Sequence, residues 1–170
     1  MFYSHGSGLS IEPVMAIRIK PIEEIHRKIS SRNNNIDIID TKVDVYKLDD
    51  NTDGIYRKNS SLSIACNDKN ETENAVNLII YCFENAALEY FDRYSSVSDI
   101  DSAINDNPEY KSVLTGSVEP LRYIIGLIVA KLNNNPSLDQ LIGSYSQKIN
   151  AIPFDPVRFK KEFSDLLHVL

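Results

Sequence analysis

The hydrophobic pattern of the chain changes its period near residue 70. Before that point, outside Pro21 to Ser30, apolar residues recur at every second position, which is typical of half-buried strands. After it they recur at every third or fourth position, as they do on one face of a helix. Strands that precede helices, instead of alternating with them, favour the α+β class. We therefore expect a small antiparallel or mixed sheet of about three strands in the N-terminal third, packed against a layer of about five helices.

Alternation places the three strands along the first third of the chain. The first covers Leu9 to Ile19, with Pro13 at an edge or a bulge. A second from Ile39 to Val45 and a third from Leu62 to Cys66 are expected to pair as an antiparallel hairpin. Between the first two strands, Pro21 to Ser30 carries the spacing of a short amphipathic helix.

Start signals mark the later helices. They are Asn70 with Glu73, Ser98 with Asp101, Asn135 before Pro136, and Asp155 before Pro156. The helix that begins at Asn70 is expected to end near Tyr94 and to bury one apolar face, made of Val76, Ile79, Ile80, Phe83, Ala87, Tyr90 and Phe91. A helix from Pro120 to Leu132 is apolar nearly all round, which predicts that it is the most buried of the set.

The length of 170 residues favours one domain. A sheet of three strands cannot cover its own apolar face, so the helices must supply the other half of the core. We expect a single domain over 1–170, with a strand-rich part at 1–66 and a helical part at 70–170.

Charge and cysteine content restrict the partners and the compartment. The chain has 18 basic and 24 acidic residues and a net charge of −6, which argues against nucleic-acid binding. Its longest apolar run, Tyr123 to Ala130, is far shorter than the ~20 residues that span a bilayer, and its N-terminus has no signal-peptide pattern. The two cysteines, Cys66 and Cys82, are interpreted as buried small side chains, and a bridge between them requires the strand end to pack on that helix turn. We expect a cytoplasmic protein without membrane or nucleic-acid partners.

One loop resembles half of a calcium site. Asp49, Asn51, Asp53 and Gly54 match the first half of an EF-hand loop, but its twelfth position is Ser60 instead of Glu. Strands, not helices, are predicted on both sides. We interpret the segment as a turn rich in Asn and Asp, with calcium binding as the alternative.

The histidines show no catalytic or ligand spacing. His5, His26 and His168 are far apart in the chain, and the segment from His5 to Gly8 does not match a nucleophile elbow.

Two acidic pairs, Glu23-Glu24 and Asp99/Asp101, stand at predicted helix starts, where the helix dipole favours negative charge. We therefore assign no catalytic, cofactor-binding or metal-ligating residue, and no cofactor.

Tyrosine is the more abundant aromatic residue, with nine tyrosines against six phenylalanines. Tyrosine suits protein interfaces because its ring is apolar and its hydroxyl is polar. Those of the helical part are Tyr81, Tyr90, Tyr94, Tyr110, Tyr123 and Tyr145. They suggest a protein-binding face there, although most would also fit the rim of a core.

Two stretches of the chain resemble small uncharacterised bacterial proteins. The first is Leu88 to Ser96, followed by Asp99 to Asp101 and Asn105, and the second is Gly126 to Leu132 with a later Tyr145. In those proteins an N-terminal sheet is followed by a helical bundle, and some look like immunity proteins. The resemblance covers the second half of the chain and rests on packing residues, so it implies no functional residue.

These observations favour a non-enzymatic protein that binds another protein, such as an immunity or accessory protein. A small hydrolase or transferase whose site is not visible in the sequence is the alternative. A homodimer is left open.

Overall fold

The computed structural model describes the backbone of residues 2–5, 8–11, 17–30, 55–58, 61–106 and 119–170. Side chains are described for 17–30, 66–84, 87–106 and 119–170. The chain forms two compact units. Unit 1 comprises Met1–Met15 and Thr41–Arg93, and unit 2 comprises Ala16–Asp40 and Tyr94–Leu170. The expectation of one domain over 1–170 stays a prediction.

Seven α-helices follow one another along the described chain. They are α1 (Lys20–Ile29), α2 (Lys69–Cys82), α3 (Leu88–Arg93), α4 (Val97–Asn105), α5 (Glu119–Leu132), α6 (Leu138–Ala151) and α7 (Pro156–Val169). None of them is both long enough and apolar enough to cross a membrane. Four short strands, β1 (Phe2–His5), β2 (Gly8–Ile11), β3 (Ile55–Lys58) and β4 (Ser61–Ala65), lie in unit 1 and pair antiparallel in the order β1-β2-β4-β3.

The predicted α+β class is wrong. Over 17–30, 66–106 and 119–170 the chain is 80% helical and contains no strand, so this part is all-α. The physical reason lies in unit 2, where α5 packs against α1, α4, α6 and α7. Helices supply both sides of this core, and it needs no sheet to complete it. Of the predicted strands, the second (Ile39 to Val45) lies outside the described residues.

Helix α5 is the centre of unit 2. Pro120 and every residue from Arg122 to Ala130 are buried. This confirms the prediction that the helix from Pro120 to Leu132 is the most buried of the described helices. Its neighbours contribute further buried apolar side chains, among them Ile22, Ile104, Tyr145, Phe159 and Leu166.

Two helices begin two residues earlier than predicted. Helix α2 is capped by Asp68, whose carboxylate accepts a hydrogen bond from the Glu71 backbone N–H at 2.8 Å. Helix α4 is capped by Ser96, which forms a reciprocal capping box with Asp99. Several polar residues precede each helix, and local pattern does not say which of them adopts the extended backbone of a cap.

The last two helix starts differ from each other. Helix α7 begins at Asp155 and Pro156 as predicted, although Asp155 adopts a left-handed backbone (φ 46°) and its side chain makes no cap bond. Helix α6 is preceded by Ser137 and not by Asn135. Asn135 instead forms a turn before the helix, in which its side-chain oxygen accepts a bond from the Ser137 N–H at 2.8 Å.

Candidate protein-interaction surface

Helices α2 and α3 form one continuous rod in unit 1, joined by a π-helical turn at Phe83–Ala87. Within this turn the backbone N–H of Leu88 bonds to the carbonyl of Phe83, five residues back. Such a turn inserts one extra residue into an α-helix, and these turns are frequent at functional sites. The sequence predicted a regular helix through this region, because no local propensity marks a π-turn.

Five large apolar side chains lie exposed along the rod, and we call them the apolar stripe. Their exposed fractions are Val76 50%, Ile80 50%, Phe83 51%, Leu88 47% and Phe91 37%. Their spacings are four, three, five and three residues. The spacing of five coincides with the π-turn, so all five side chains share one side of the rod.

The predicted inward face of this helix is confirmed at Ala87 and Tyr90, which are buried, and wrong at four other positions. Val76, Ile80, Phe83 and Phe91 were expected to face inward, and they are exposed. The buried face consists of Ala75, Cys82, Ala87 and Tyr90. The rod is apolar over a broad arc, and hydropathy alone does not choose which part of that arc is covered.

An acidic row borders the apolar stripe. Glu73, Glu84 and Asp92 are exposed and, by helical spacing, lie along the same flank of the stripe. Lys69 approaches Glu73 at 3.8 Å, but both side chains are largely exposed, so this ion pair neutralises little. The flank therefore presents a negative edge beside apolar side chains.

The net negative charge of the chain is concentrated in unit 1. This unit contains 6 basic and 11 acidic residues, a net charge of −5, whereas unit 2 contains 12 basic and 13 acidic residues. The unit that exposes the apolar stripe thus carries nearly all of the excess negative charge.

A polar network built around the buried Asp101 and Asn105 lies in unit 2. Asp101 is 2% exposed, and its carboxylate accepts bonds from the side-chain amides of Asn105, Asn133 and Asn135 at 2.5, 2.7 and 2.9 Å. The Asn105 amide also donates to the Gly126 carbonyl at 2.9 Å, and the Tyr145 hydroxyl donates to Asn105 Oδ1 at 2.7 Å.

This network fixes helices and does not form an open site. Asn105 ties α4 to α5 and to α6, and Asp101 ties α4 to the turn after α5. The prediction that Asp101 caps a helix start is wrong, since it lies within α4. Asp99 does cap that helix, and its bond from the Ser96 hydroxyl lowers the pKa of its carboxyl group. The run Asn133-Asn134-Asn135 after an apolar helix was the available signal for the amide donors.

A second buried cluster lies between α1 and α7. His26 and Glu162 are each 1% exposed. Arg158 donates to Glu162 Oε1 at 2.9 Å, and the Ser30 hydroxyl donates to the same oxygen at 3.4 Å. Neither ring nitrogen of His26 has a hydrogen-bond partner among the described residues.

The charge state of His26 follows from this environment. Burial lowers the pKa of His26, Glu162 opposes the shift, and Arg158 adds to it. The ring is therefore neutral near pH 7. Because it is enclosed, it cannot meet a substrate in this conformation.

The other predicted residues lie apart from these clusters. His168 is exposed and its Nδ1 lies 2.7 Å from the Ser164 carbonyl oxygen, while the side chain of His5 is outside the described residues. Glu23 and Glu24 form ion pairs with Arg27 at 3.0 Å and with Lys20 at 3.7 Å on α1.

The two cysteines do not form a disulfide. Cys82 is buried, which raises the pKa of its thiol, and Cys66 is half-buried.

Of the six tyrosines considered for a protein-binding face, four of the five described are buried. Tyr90, Tyr94, Tyr123 and Tyr145 are buried, and Tyr81 is 41% exposed. Burial, together with a hydrogen bond to Glu119, raises the pKa of Tyr123. Tyr110 lies outside the described residues.

The predicted acidic turn, Asp49, Asn51, Asp53 and Gly54, also lies outside the described residues. Where side chains are described, no three His, Cys, Asp or Glu residues are arranged to hold a metal ion.

Comparisons with known proteins supply no relative. No family model, no curated protein and no solved structure matches the chain.

Proposed function

We propose that this chain is a protein-binding protein whose apolar stripe takes up a partner with a basic surface. The observation that carries the proposal is the exposure of five large apolar side chains on one side of a single rod. Single exposed apolar residues are ordinary, whereas a contiguous row is typical of an interaction surface. Covering such side chains would remove apolar area from water on binding.

Charge supports a basic partner over a second copy of the chain. Two copies packed antiparallel through the stripe would bring Glu73, Glu84 and Asp92 close to the same row of acids. Like charges placed together oppose association, whereas a basic partner gains in association rate from the negative field of unit 1. The immunity or accessory role suggested by the resemblance would use such a surface, and we place the interaction in the cytoplasm.

A photo-crosslinking residue tests this proposal. Benzoylphenylalanine would replace either Phe83, in the stripe, or Phe154, which is 67% exposed in unit 2. The two variants are expressed in cells of the source organism and irradiated. We expect a discrete heteromeric adduct at position 83 that is absent at position 154 and is lost when Ile80→Asp is added.

Three outcomes would contradict the proposal. They are the absence of any adduct at position 83, an equal adduct at both positions, and an adduct that consists of two copies of this chain. The third outcome would assign the stripe to a homodimer.

A further inference from the structure

We infer that the segment taken up by the apolar stripe is an amphipathic α-helix with a row of Lys or Arg beside its apolar face. This inference rests on the proposed function and specifies the chemistry of the partner.

The shape of the stripe favours a helix. From Val76 to Phe91 the rod rises by about 22 Å, which is the length of about 15 residues of a partner helix. The backbone groups along α2 and α3 are used within the rod, so it offers no edge to which a strand could add. Recognition must come from side chains, and a row of apolar side chains on one helix packs against the ridges of another.

The π-turn decides whether the stripe is continuous. In a regular α-helix each residue turns the direction of the side chain by about 100°. If the same residues formed a regular α-helix without the π-turn, Leu88 and Phe91 would rotate away from Val76, Ile80 and Phe83 by about that angle. The stripe would then divide into two short patches, neither of which could hold a helix of four turns.

The acidic row defines where the basic residues of the partner lie. Glu73, Glu84 and Asp92 are separated along the rod by about 16 Å and about 12 Å. A partner helix lying along the stripe would place Lys or Arg against these three carboxylates on one flank. It would bury apolar side chains in the centre, and salt would weaken the charged part of the contact.

A designed peptide is the first probe. It has 18 residues, with leucines at helical spacing on one face and lysines along one flank. One control peptide has the same composition in scrambled order, and a second replaces each lysine by glutamate. We expect fluorescence anisotropy at about 50 mM salt to show micromolar binding of the first peptide and binding about 10-fold weaker or absent for both controls.

Variants of the full chain locate the contact. Insertion of one alanine after Ala86 rotates Leu88 and Phe91 by about 100° away from the rest of the stripe and is expected to weaken binding of the lysine peptide about 10-fold. The double change Glu84→Lys and Asp92→Lys should reverse the preference, so that the glutamate peptide binds better than the lysine peptide. Phe154→Asp is the matched control outside the stripe and should bind as the unchanged chain does. Circular dichroism confirms that each variant is folded, and the double variant tests the contact without any change of backbone.

The results separate this inference from the proposed function. Equal binding of the scrambled peptide, no binding of the lysine peptide, or an unchanged preference in the double variant would overturn the helical, cationic partner. A discrete adduct at position 83 would leave the proposed function standing in each of these cases. Absence of that adduct would contradict both the proposed function and this inference.

Discussion

Helix α5 and the rod of α2 and α3 are both rich in apolar residues, yet they occupy opposite environments. In α5 an unbroken run from Arg122 to Ala130 is buried, because four helices of unit 2 surround it. In the rod, small residues such as Ala75 and Ala87 are buried, while Phe83 and Ile80 face solvent. The difference teaches that apolar content alone does not make a helix part of a core. In unit 2 apolar side chains hold helices together, whereas in unit 1 a row of them is available to a partner.

The same substitution should change the stability of the fold much more in α5 than in the rod. Ile128→Asp places a charge at a position with 0% exposure and should destabilise the fold by about 4 kcal/mol or more. Ile80→Asp, at 50% exposure, should change stability by about 0.5 kcal/mol or less. Urea denaturation followed by circular dichroism measures both. Equal losses would show that the stripe is part of a core.

Two acidic residues extend the comparison to polar groups. Asp101→Asn replaces one acceptor oxygen by a donor that would face another amide donor, and should cost about 3 kcal/mol. Glu84→Gln, on the exposed flank of the rod, should leave stability within about 0.5 kcal/mol. The same urea titration measures both variants. An unchanged free energy of unfolding in Asp101→Asn would show that the network is not needed for the fold.

Two glycines, one in α5 and one in α6, test how closely these helices are packed. A Cβ atom on Gly126 would lie 2.9 Å from Asn105 Oδ1 and from Tyr145 Cε2, so Gly126→Ala should destabilise by about 2 kcal/mol. Gly143→Ala adds a methyl group where nothing lies within 4 Å, and should stabilise α6 by about 0.5 kcal/mol. Thermal melting shows whether each variant lowers or raises the melting temperature. A higher melting temperature for Gly126→Ala would contradict the close approach of α4, α5 and α6.

The smallest predicted effect is the pH dependence that comes from His26. Burial holds its pKa below the ordinary value of 6.5, so the unfolded chain binds this proton more readily than the folded chain does. Its contribution to stability is complete above pH 6.5 and declines as the pH falls towards the folded pKa, by at most about 1.4 kcal/mol per pH unit.

Urea denaturation between pH 7.5 and pH 5.5 measures this slope, at about half-unit intervals. His26→Leu should flatten the curve in that range, whereas the exposed His168→Gln should leave it unchanged. An identical slope in the unchanged chain and in His26→Leu would mean that other groups cause the pH dependence.

Local signals in the sequence found several helices and the most buried one. Pro21 and Pro156 mark the beginnings of α1 and α7, and the all-round apolar run after Pro120 marks α5. They work because proline at the first turn and apolar periodicity act within a few residues of their own position. The fold class could not be obtained in this way, since it depends on which elements cover one another.

The candidate surface shows the same limit. Four of the five residues of the apolar stripe, all except Leu88, were predicted to lie on the inward face of a helix, and they are exposed. The π-turn had no usable local signature in the sequence. The run of asparagines after α5 marked the amide donors, but their acceptor Asp101 lies 32 and 34 residues before Asn133 and Asn135, so only the fold pairs them.

The sequence by itself determined where most described helices lie, the net charge of −6 and the apolar character of α5 and of the rod. Only the tertiary structure decided that α5 is enclosed and that the stripe is exposed. The physical reason is that propensity and periodicity are properties of neighbouring residues, whereas burial depends on which other helices are close enough to exclude water.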